Sequence, residues 1–392
     1  MASIFVIILF IIFLVVFIKE MSTKTVSIEM VSVPADWEAF GYSSTVTTER
    51  LKDSINEIFR RSRTIKEDQA THLSSFTTQK DEFDVILPGA GISLQTLVYF
   101  ASDFFSTSDI TIRGDIVCNR GFLDPTVAIN QIGRTDDCTP QRSHLRLRID
   151  GRETAIINVP SKHLKIKDSY IHFGALEIVE AVHPYTAAIF AWKELENDTR
   201  ALAIAESILD RAEGDEEWAY NLIGLIHFRA GNIPTALKNY EEAIAETDGF
   251  VAARYNRAVA LDERSKDEMR ALAKRIEDKK AAISELEGLI RDDSNNFEAI
   301  MSLGIVYLSY VDILNENHVE PEDSTMLNLV ENAVCYAQMA RNIDRNHLKA
   351  TILSAQARAK LEDLAEGSNP ALVVQNLATE KARNLFNTEK AC

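Results

Sequence analysis

The feature that most constrains this chain is a set of small residues at helical intervals between Gly224 and Ala243. Gly224 lies before a turn at Gly231, and Ala236 and Ala243 follow that turn with Tyr240 between them. Two antiparallel helices approach closely only where the side chains between them are small. The spacing therefore predicts a helix–turn–helix unit whose helices meet at these small residues, with Tyr240 filling the space beside the next unit.

The same unit recurs along the second half of the chain. Ala258 lies 34 residues after Gly224, and 34 residues in a helix–turn–helix is the period of the tetratricopeptide repeat. The chain therefore resembles a tetratricopeptide repeat (TPR) protein, and Val182-His-Pro-Tyr185 before the repeats is similar to the bacterial membrane-anchored type. Less regular copies of the pattern complete the predicted array at 185–209, 255–289, 303–340 and 347–361.

Two insertions interrupt the regular pitch of the repeats. About twelve extra residues fall at 262–273, where a continuous apolar stripe predicts that the second helix of the unit is longer by about three turns. An acidic insertion follows at 310–325. Beyond the repeats, Asn369-Pro370 is typical of a helix start and predicts a final helix through Phe386.

The segment before the repeats alternates strand and helix patterns. Strands are predicted at 26–33, 82–87, 109–117, 144–149 and 154–159, and helices at 47–63, 93–105 and 168–182. This order predicts a mixed sheet covered by helices. The segment also resembles the TolB-type amino-terminal domain in Val33-Pro34, Gly41-Tyr42 and the strand 112–116 that leads to Leu145-Arg-Leu. That resemblance implies no catalytic residues.

Residues 4–18 form an uninterrupted apolar run. A helix of that run extended to the first residue reaches about 27 Å, which is near the lower limit for crossing a bilayer. No basic residue precedes the run and Lys19-Glu20-Met21 follows it, so an uncleaved anchor is favoured over a signal peptide. A translation start at Met21 is the remaining alternative. Lys19 and Lys24 weakly favour the cytoplasmic side of a bacterial inner membrane for the rest of the chain.

The predicted fold class is α+β, with an N-terminal transmembrane helix, a small mixed α/β sheet domain and an all-α TPR helix-hairpin solenoid. A chain of 392 residues is long enough for two domains with separate cores. The predicted boundaries are 1–20 for the transmembrane anchor, 21–183 for the α/β domain, 184–365 for the TPR repeats and 366–392 for a C-terminal capping helix.

The first helix of each TPR unit lines the concave side of such an array. Carried over in this register, the resemblance places apolar and amide side chains there, which suits a peptide helix or an extended segment of another protein. The predicted partner-binding residues are Asn221, Leu225, Phe228, Tyr255, Asn256, Val259, Met301, Ile305 and Leu308. Each of them is also open to the interpretation that it only packs between helices. No paired lysines stand at these positions, so binding of a chaperone tail is not expected.

Two features of the sheet domain could bind an anion. The turn Gly89-Ala90-Gly91 precedes a helix that starts at Ser93, where free amides attract phosphate, but it lacks the lysine of a P-loop. Arg146, Arg148 and Arg152 surround the predicted hairpin. A tight turn and a solvated strand face are the structural interpretations of the same residues, and both stay open.

Composition and motifs argue against several function classes. The net charge of −17 repels phosphates, so nucleic-acid binding is not expected. The histidines and cysteines form no metal-ligand spacing and no nucleophile elbow is present, so no enzyme, metal or cofactor is predicted. Cys335 is predicted to pack as a small hydrophobe, and Cys118 and Cys138 could pair only in an oxidising compartment.

The sequence therefore predicts a membrane-anchored, non-catalytic scaffold that binds protein partners through the TPR repeats and the lipid bilayer through residues 4–18. The alternative is a ligand-sensing regulator, in which the α/β domain binds a small anionic ligand near Gly89 to Ser93 and alters docking on the repeats. The two hypotheses differ in whether a small ligand raises the stability of the folded chain.

Overall fold

The computed structural model describes residues 26–38, 41–62, 110–118, 143–150, 152–157, 168–212, 214–319 and 326–367. In these ranges the protein is mostly helical, with four strands and twelve helices, which is an α+β fold. The strands are β1 (Val26–Ile28), β2 (Ile110–Cys118), β3 (Ser143–Ile149) and β4 (Ala155–Ile157). The helices are α1 (Ala35–Glu38), α2 (Ser44–Arg61), α3 (Asp168–Val182), α4 (Pro184–Lys193), α5 (Asp198–Arg211), α6 (Glu216–Arg229), α7 (Ile233–Glu246), α8 (Val251–Ser265), α9 (Leu272–Asp292), α10 (Phe297–Glu316), α11 (Met326–Ile343) and α12 (Leu348–Gly367). The chain divides into two compact units between Ile204 and Ala205, within α5.

The first unit contains a four-stranded mixed sheet in the order β1-β2-β3-β4. β1 runs parallel to β2, and the other two pairs of strands are antiparallel. Side chains alternate between the faces of a strand, and Leu145, Leu147 and Ile149 of β3 are buried on one face. Helix α3 packs on β3 and β4. A β-carbon at Gly174 of α3 would lie 2.5 Å from Leu145 Cδ2, so glycine permits this close approach.

The strand predicted at 26–33 is shorter in the structure. β1 ends at Ile28, and a single isolated bridge continues the pairing. The ladder is interrupted because the amide of Val31 donates to Thr48 Oγ1 of α2 at 2.9 Å rather than to a neighbouring strand. Strands β2, β3 and β4 and helices α2 and α3 begin and end within three residues of their predicted positions, whereas α1 was not predicted. Helix α3 ends at Val182, before the proline, as the sequence predicts.

The second unit is a stack of antiparallel helix hairpins. α6 pairs with α7, α8 with α9 and α10 with α11, and each second helix also packs against the first helix of the next hairpin. Within a hairpin, residues that lie about equally far from the connecting turn contact each other across the two helices. Gly224 of α6 meets Tyr240 of α7, and Tyr307 of α10 meets Tyr336 of α11. The first helices α6, α8, α10 and α12 also contact one another in succession. These helices lie at the positions that the repeated small residues predict.

The small residues of the first hairpin are buried between its helices. Ala236 and Ala243 of α7 are fully buried. A β-carbon at Gly224 of α6 would lie 2.4 Å from Tyr240 Cε1, so only glycine leaves room for that ring. Tyr240 is buried in a cluster shared by α7 and α8, together with Ala253. The predicted role of the tyrosine, filling the space beside the next unit, is confirmed.

The inserted residues at 262–273 lengthen α9, but by less than the sequence predicts. α9 has 21 residues and α7 has 14, a difference of about two turns. The residues between Ser265 and Leu272 form the turn that joins α8 to α9 instead of a third additional turn of helix.

Among the described residues, α10 is the one helix long and apolar enough to cross a membrane. In its most apolar window 61% is buried within the structure, and the core helix of a soluble protein passes the same test, so this is weak evidence for a membrane. Four predicted segments lie outside the described residues: the anchor at 4–18, the strand at 82–87, the helix at 93–105 and the final helix at 369–386.

Both described cysteines are disulfide-bonded. Cys118 ends β2 and Cys335 lies in α11. Cys335 is therefore more than the small packing residue that its apolar surroundings predict. Disulfides form and persist in oxidising compartments.

Candidate protein-binding face

The first helices α6, α8 and α10 carry the residues that the sequence predicts for partner binding. We call these nine side chains the first-helix face. They are Asn221, Leu225, Phe228, Tyr255, Asn256, Val259, Met301, Ile305 and Leu308. Because α6 contacts α8 and α8 contacts α10, the face runs across three neighbouring helices.

A pair of asparagine side chains joins α6 to α8. Asn256 Nδ2 donates a hydrogen bond to Asn221 Oδ1 at 2.8 Å. Asn221 is buried and Asn256 is half-buried. An amide has two donors and an acceptor, and within the described part of the chain Asn221 Nδ2 and Asn256 Oδ1 make no hydrogen bond. Because Asn221 is buried, the half-buried Asn256 is the member of the pair whose acceptor can reach a peptide backbone.

Two further polar contacts continue this linkage along the stack. The hydroxyl groups of Tyr255 in α8 and Ser302 in α10 are 3.0 Å apart, within hydrogen-bond distance. Lys360 Nζ of α12 pairs with Asp312 Oδ1 of α10 at 2.7 Å. The four first helices are thus joined in series by side-chain contacts, which fixes the spacing of the face.

The apolar members of the first-helix face differ in how much surface they leave open. Leu225 and Phe228 are half-buried against the cluster shared by α7 and α8. Met301 is buried among residues of α10, α11 and α12, so it acts here as a packing residue. Ile305 is 45% exposed and is the most accessible apolar side chain of the set.

A second group of side chains, which the sequence did not predict, lies inside the stack where α8, α9 and α10 meet. We call Asp262, Lys279 and Ser309 the polar cluster. Lys279 Nζ bonds Asp262 Oδ1 and Ser309 Oγ, and Ser309 Oγ donates to Asp262 Oδ1 at 3.0 Å. The Lys279 side chain is fully buried. Lys266 Nζ bonds the second oxygen of Asp262 at 3.0 Å.

Burial and pairing act in opposite directions on the polar cluster. Burial raises the pKa of the Asp262 carboxyl, but the charges and hydrogen bonds of Lys279 and Lys266 outweigh it and hold that pKa below its usual value. Burial lowers the pKa of the Lys279 ammonium, and the pairing with Asp262 only partly offsets it. A buried charge is costly unless it is paired. Asp262 and Lys279 therefore each depend on the other's charge.

A neighbouring carboxylate holds the turn between α8 and α9. Arg264 donates to both oxygens of Asp278, at 2.7 and 3.0 Å, and Arg270 donates to Asp278 Oδ2 at 3.3 Å. Arg275 Nε donates to the carbonyl of Ser265 at 2.7 Å. The extension of this hairpin is therefore fixed by charged and polar contacts instead of small apolar residues.

The sequence carried one signal that could have found the polar cluster. Lys279 continues the apolar stripe of α9, three residues after Ile276 and four before Ile283. A lysine at an inward position of a helix needs a buried partner. The partner cannot be named from the sequence, because Asp262 and Ser309 lie on other helices.

Of the three arginines predicted around the β3–β4 hairpin, two are paired within the sheet and the third bonds helix α3. Arg146 and Arg148 of β3 both bond Asp115 of β2. Burial raises the pKa of Asp115, but the hydrogen bonds from the two arginines outweigh it and lower that pKa. Arg152 donates to the carbonyl of Ala181 at 2.7 Å. This supports the structural interpretation of these residues over an anion site.

The other predicted anion site, near Gly89 to Ser93, lies outside the described residues. Within the described residues no group of three or more histidine, cysteine, aspartate or glutamate side chains could hold a metal ion. No protein-family model matches this chain, and the search of curated proteins finds no match.

Proposed function

We propose that the hairpin stack is a non-catalytic binding module of the TPR type that holds a peptide segment of another protein on the first-helix face, in a scaffold anchored to a membrane. The observation that carries this proposal is the series of first helices joined by side-chain contacts. A face of fixed spacing that combines apolar surface with amide groups suits a helical or extended peptide.

The chemistry of the face supports this choice. Ile305 offers an exposed apolar contact, and the half-buried Asn256, whose amide nitrogen bonds Asn221, leaves its Oδ1 acceptor for a peptide backbone. The polar cluster does not compete as a reactive site, because its lysine is fully buried and bonded on both sides. The module therefore binds through surface that its own packing leaves open.

The membrane anchor at residues 4–18 is part of the proposal and rests on the sequence alone. Lys19 and Lys24 weakly favour the cytoplasmic side, whereas disulfide bonds at Cys118 and Cys335 favour an oxidising compartment. Of the two arguments, the disulfides carry more weight, because two lysines beside an acidic residue set orientation weakly. The lysines and the disulfides thus favour opposite sides of the membrane, and the proposal holds for a soluble part on either side.

A matched pair of isoleucines tests the binding face. Ile305 of α10 is 45% exposed and Ile343, at the end of the second helix α11, is 44% exposed. Peptides selected from a random displayed library on the full-length chain in detergent serve as probes, and calorimetry gives their Kd. We expect Ile305→Asp to weaken binding at least tenfold and Ile343→Asp to leave it unchanged.

Two outcomes contradict the proposal. If no peptide binds the folded chain, or if Ile305→Asp and Ile343→Asp have equal effects, the first-helix face is not the binding site. A rise in melting temperature with nucleotides or sugar phosphates would instead favour the ligand-sensing alternative, because specific binding to the folded state stabilises it.

A further inference from the structure

The last described helix carries an apolar seam on its exposed side. Leu348, Ile352, Ala355 and Ala359 of α12 follow one another at spacings of four, three and four residues, which places them on one side of a helix. All four are exposed, Leu348 at 71%. We call them the α12 seam. Apolar residues at alternating spacings of four and three form the contact line of two helices that pack side by side.

The opposite side of α12 holds the seam in a fixed position. Three buried side chains on that side pack against α10 and α11, namely Ala350, Leu353 and Ala357. Lys360 Nζ also pairs with Asp312 Oδ1 of α10 at 2.7 Å. Because α12 is held on this side by apolar packing and an ion pair, the α12 seam is presented outward on a helix that cannot rotate freely.

Charged side chains flank the seam in an order that is unfavourable for a helix by itself. The helix dipole favours anions at the start of a helix and cations at its end. α12 has no acidic residue in its first turn and no basic residue in its last turn. Instead, Lys349 lies in the first turn and Asp363 lies near the end, both exposed. Neither makes an ion pair with another described residue, so both are available to a partner of opposite charge.

The positions of these two charges are self-complementary. Lys349 and Asp363 are about four helical turns apart, or about 21 Å along the axis, so they lie on the same flank of the α12 seam. Gln356 lies midway between them on that flank. A two-fold axis through the seam near Gln356 brings Lys349 of each copy towards Asp363 of the other, as an interface between identical surfaces requires. A second copy of this chain therefore supplies the complementary charge at both ends.

We propose that α12 is a dimer interface, in which the α12 seams of two copies pack antiparallel about a two-fold axis near Gln356. The small side chains of Ala355 and Ala359 allow the two helices to approach closely. Lys349 of each copy pairs with Asp363 of the other, and the antiparallel arrangement also opposes the two helix dipoles. This inference goes beyond peptide binding and does not depend on it.

Sedimentation of the full-length chain in detergent, over a range of protein concentrations, tests this contact. We expect a monomer–dimer equilibrium for the wild type. Ile352→Glu should raise the Kd of the dimer at least about tenfold, because each copy then buries an unpaired charge in the seam. Val251→Glu in α8 is the matched control. Val251 is exposed to a similar extent as Ile352 but lies outside α12, so we expect an unchanged Kd.

Reversing the charges tests the antiparallel arrangement. Lys349→Glu alone places two carboxylates opposite each other at both ends, and Asp363→Lys alone does the same with two ammonium groups. Each should weaken the dimer about tenfold, because like charges that face each other repel. An equimolar mixture of the two variants should recover the wild-type Kd, since the mixed dimer pairs opposite charges at both ends. Recovery on mixing also separates the contact from a loss of structure in either variant.

Three results would overturn the proposal. The first is a monomer at every protein concentration, which would leave the α12 seam to a partner other than a second copy. The second is a dimer that Ile352→Glu leaves intact, which would place the interface elsewhere. The third is a pair of charge variants that weaken the dimer but do not recover on mixing, which would exclude the pairing of Lys349 with Asp363.

Discussion

Two neighbouring hairpins of the stack hold their helices together by opposite means. The α6–α7 hairpin uses small residues, and Gly224 lies directly against the ring of Tyr240. The longer α8–α9 hairpin uses charges at its extended end, where Asp262 bonds the buried Lys279. Both hairpins have the same topology. The comparison shows that the contact between the two helices of a hairpin can be either a close apolar fit or a buried pair of opposite charges, provided that each buried charge has its partner.

The largest expected effect comes from breaking the charged contact. Asp262→Ala leaves Lys279 buried with only Ser309 as a partner. Removing one member of a buried ion pair costs about 3–5 kcal/mol, and we expect a loss of that size in the free energy of unfolding. Urea denaturation of the full-length chain in detergent measures it.

The double variant Asp262→Leu, Lys279→Met sharpens the comparison. Replacing a buried ion pair by apolar residues of similar size is often neutral or stabilising, so we expect it to recover most of the loss. If the double variant is as unstable as Asp262→Ala, the polar cluster contributes through more than the pairing of its charges.

The stability difference between wild type and Asp262→Ala should also depend on pH. Since the pKa of Asp262 is lowered in the folded chain, its contribution is fully present above the unfolded value of about 3.9. The contribution is lost as the pH falls through the lowered, folded-state pKa. We expect the difference in unfolding free energy to be constant from pH 7 to 5 and to narrow below pH 4. A difference that stays constant to pH 2 would contradict the assignment.

The apolar hairpin should be sensitive to a single methyl group. In Gly224→Ala the new β-carbon would lie 2.4 Å from Tyr240 Cε1, and overpacking of this kind costs about 1–3 kcal/mol. Gly288→Ala in α9 is the matched control, because its β-carbon would meet the end of one side chain, Arg254, whose terminal nitrogen is nearest at 2.7 Å. A flexible side chain can shift, and alanine favours a helix over glycine by about 1 kcal/mol.

Thermal unfolding of the two glycine variants checks this prediction. We expect Gly224→Ala to lower Tm and Gly288→Ala to leave it unchanged or raise it. Equal shifts in the same direction would show that helix propensity, not the contact with Tyr240, decides the outcome.

The smallest effect belongs to the contact between hairpins. Asn221→Ala removes the acceptor of the Asn256 hydrogen bond, and a hydrogen bond of this type contributes about 0.5–1.5 kcal/mol. A double-mutant cycle with Asn256→Ala measures the coupling between the two amides. A coupling energy indistinguishable from zero would mean that α6 and α8 are held by apolar packing alone.

The candidate binding face was predictable to the extent that it follows from local periodicity. The register that starts at Gly224 places Asn221, Tyr255 and Ile305 on successive first helices, and the structure brings these helices together. The register does not decide exposure. Met301 is buried by α11 and α12, whereas Ile305, one turn further along α10, is 45% exposed. Exposure depends on the neighbouring helices, which periodicity does not describe.

The amino-acid sequence by itself determined the hairpins of this protein. Close packing of two helices requires small residues at fixed intervals, and these intervals can be read directly from the sequence. It also determined strands β2 and β3 of the sheet, since alternation marks a face that must be buried, but it did not determine the end of β1 at Ile28. Only the tertiary structure decided which charges are inside. Asp262, Lys279 and Ser309 come from three helices. Lys279 lies 17 residues and Ser309 lies 47 residues after Asp262 in the chain. A charge is buried only when the fold supplies its partner. Because the two partners come from different helices, their pairing leaves no periodic pattern in the sequence.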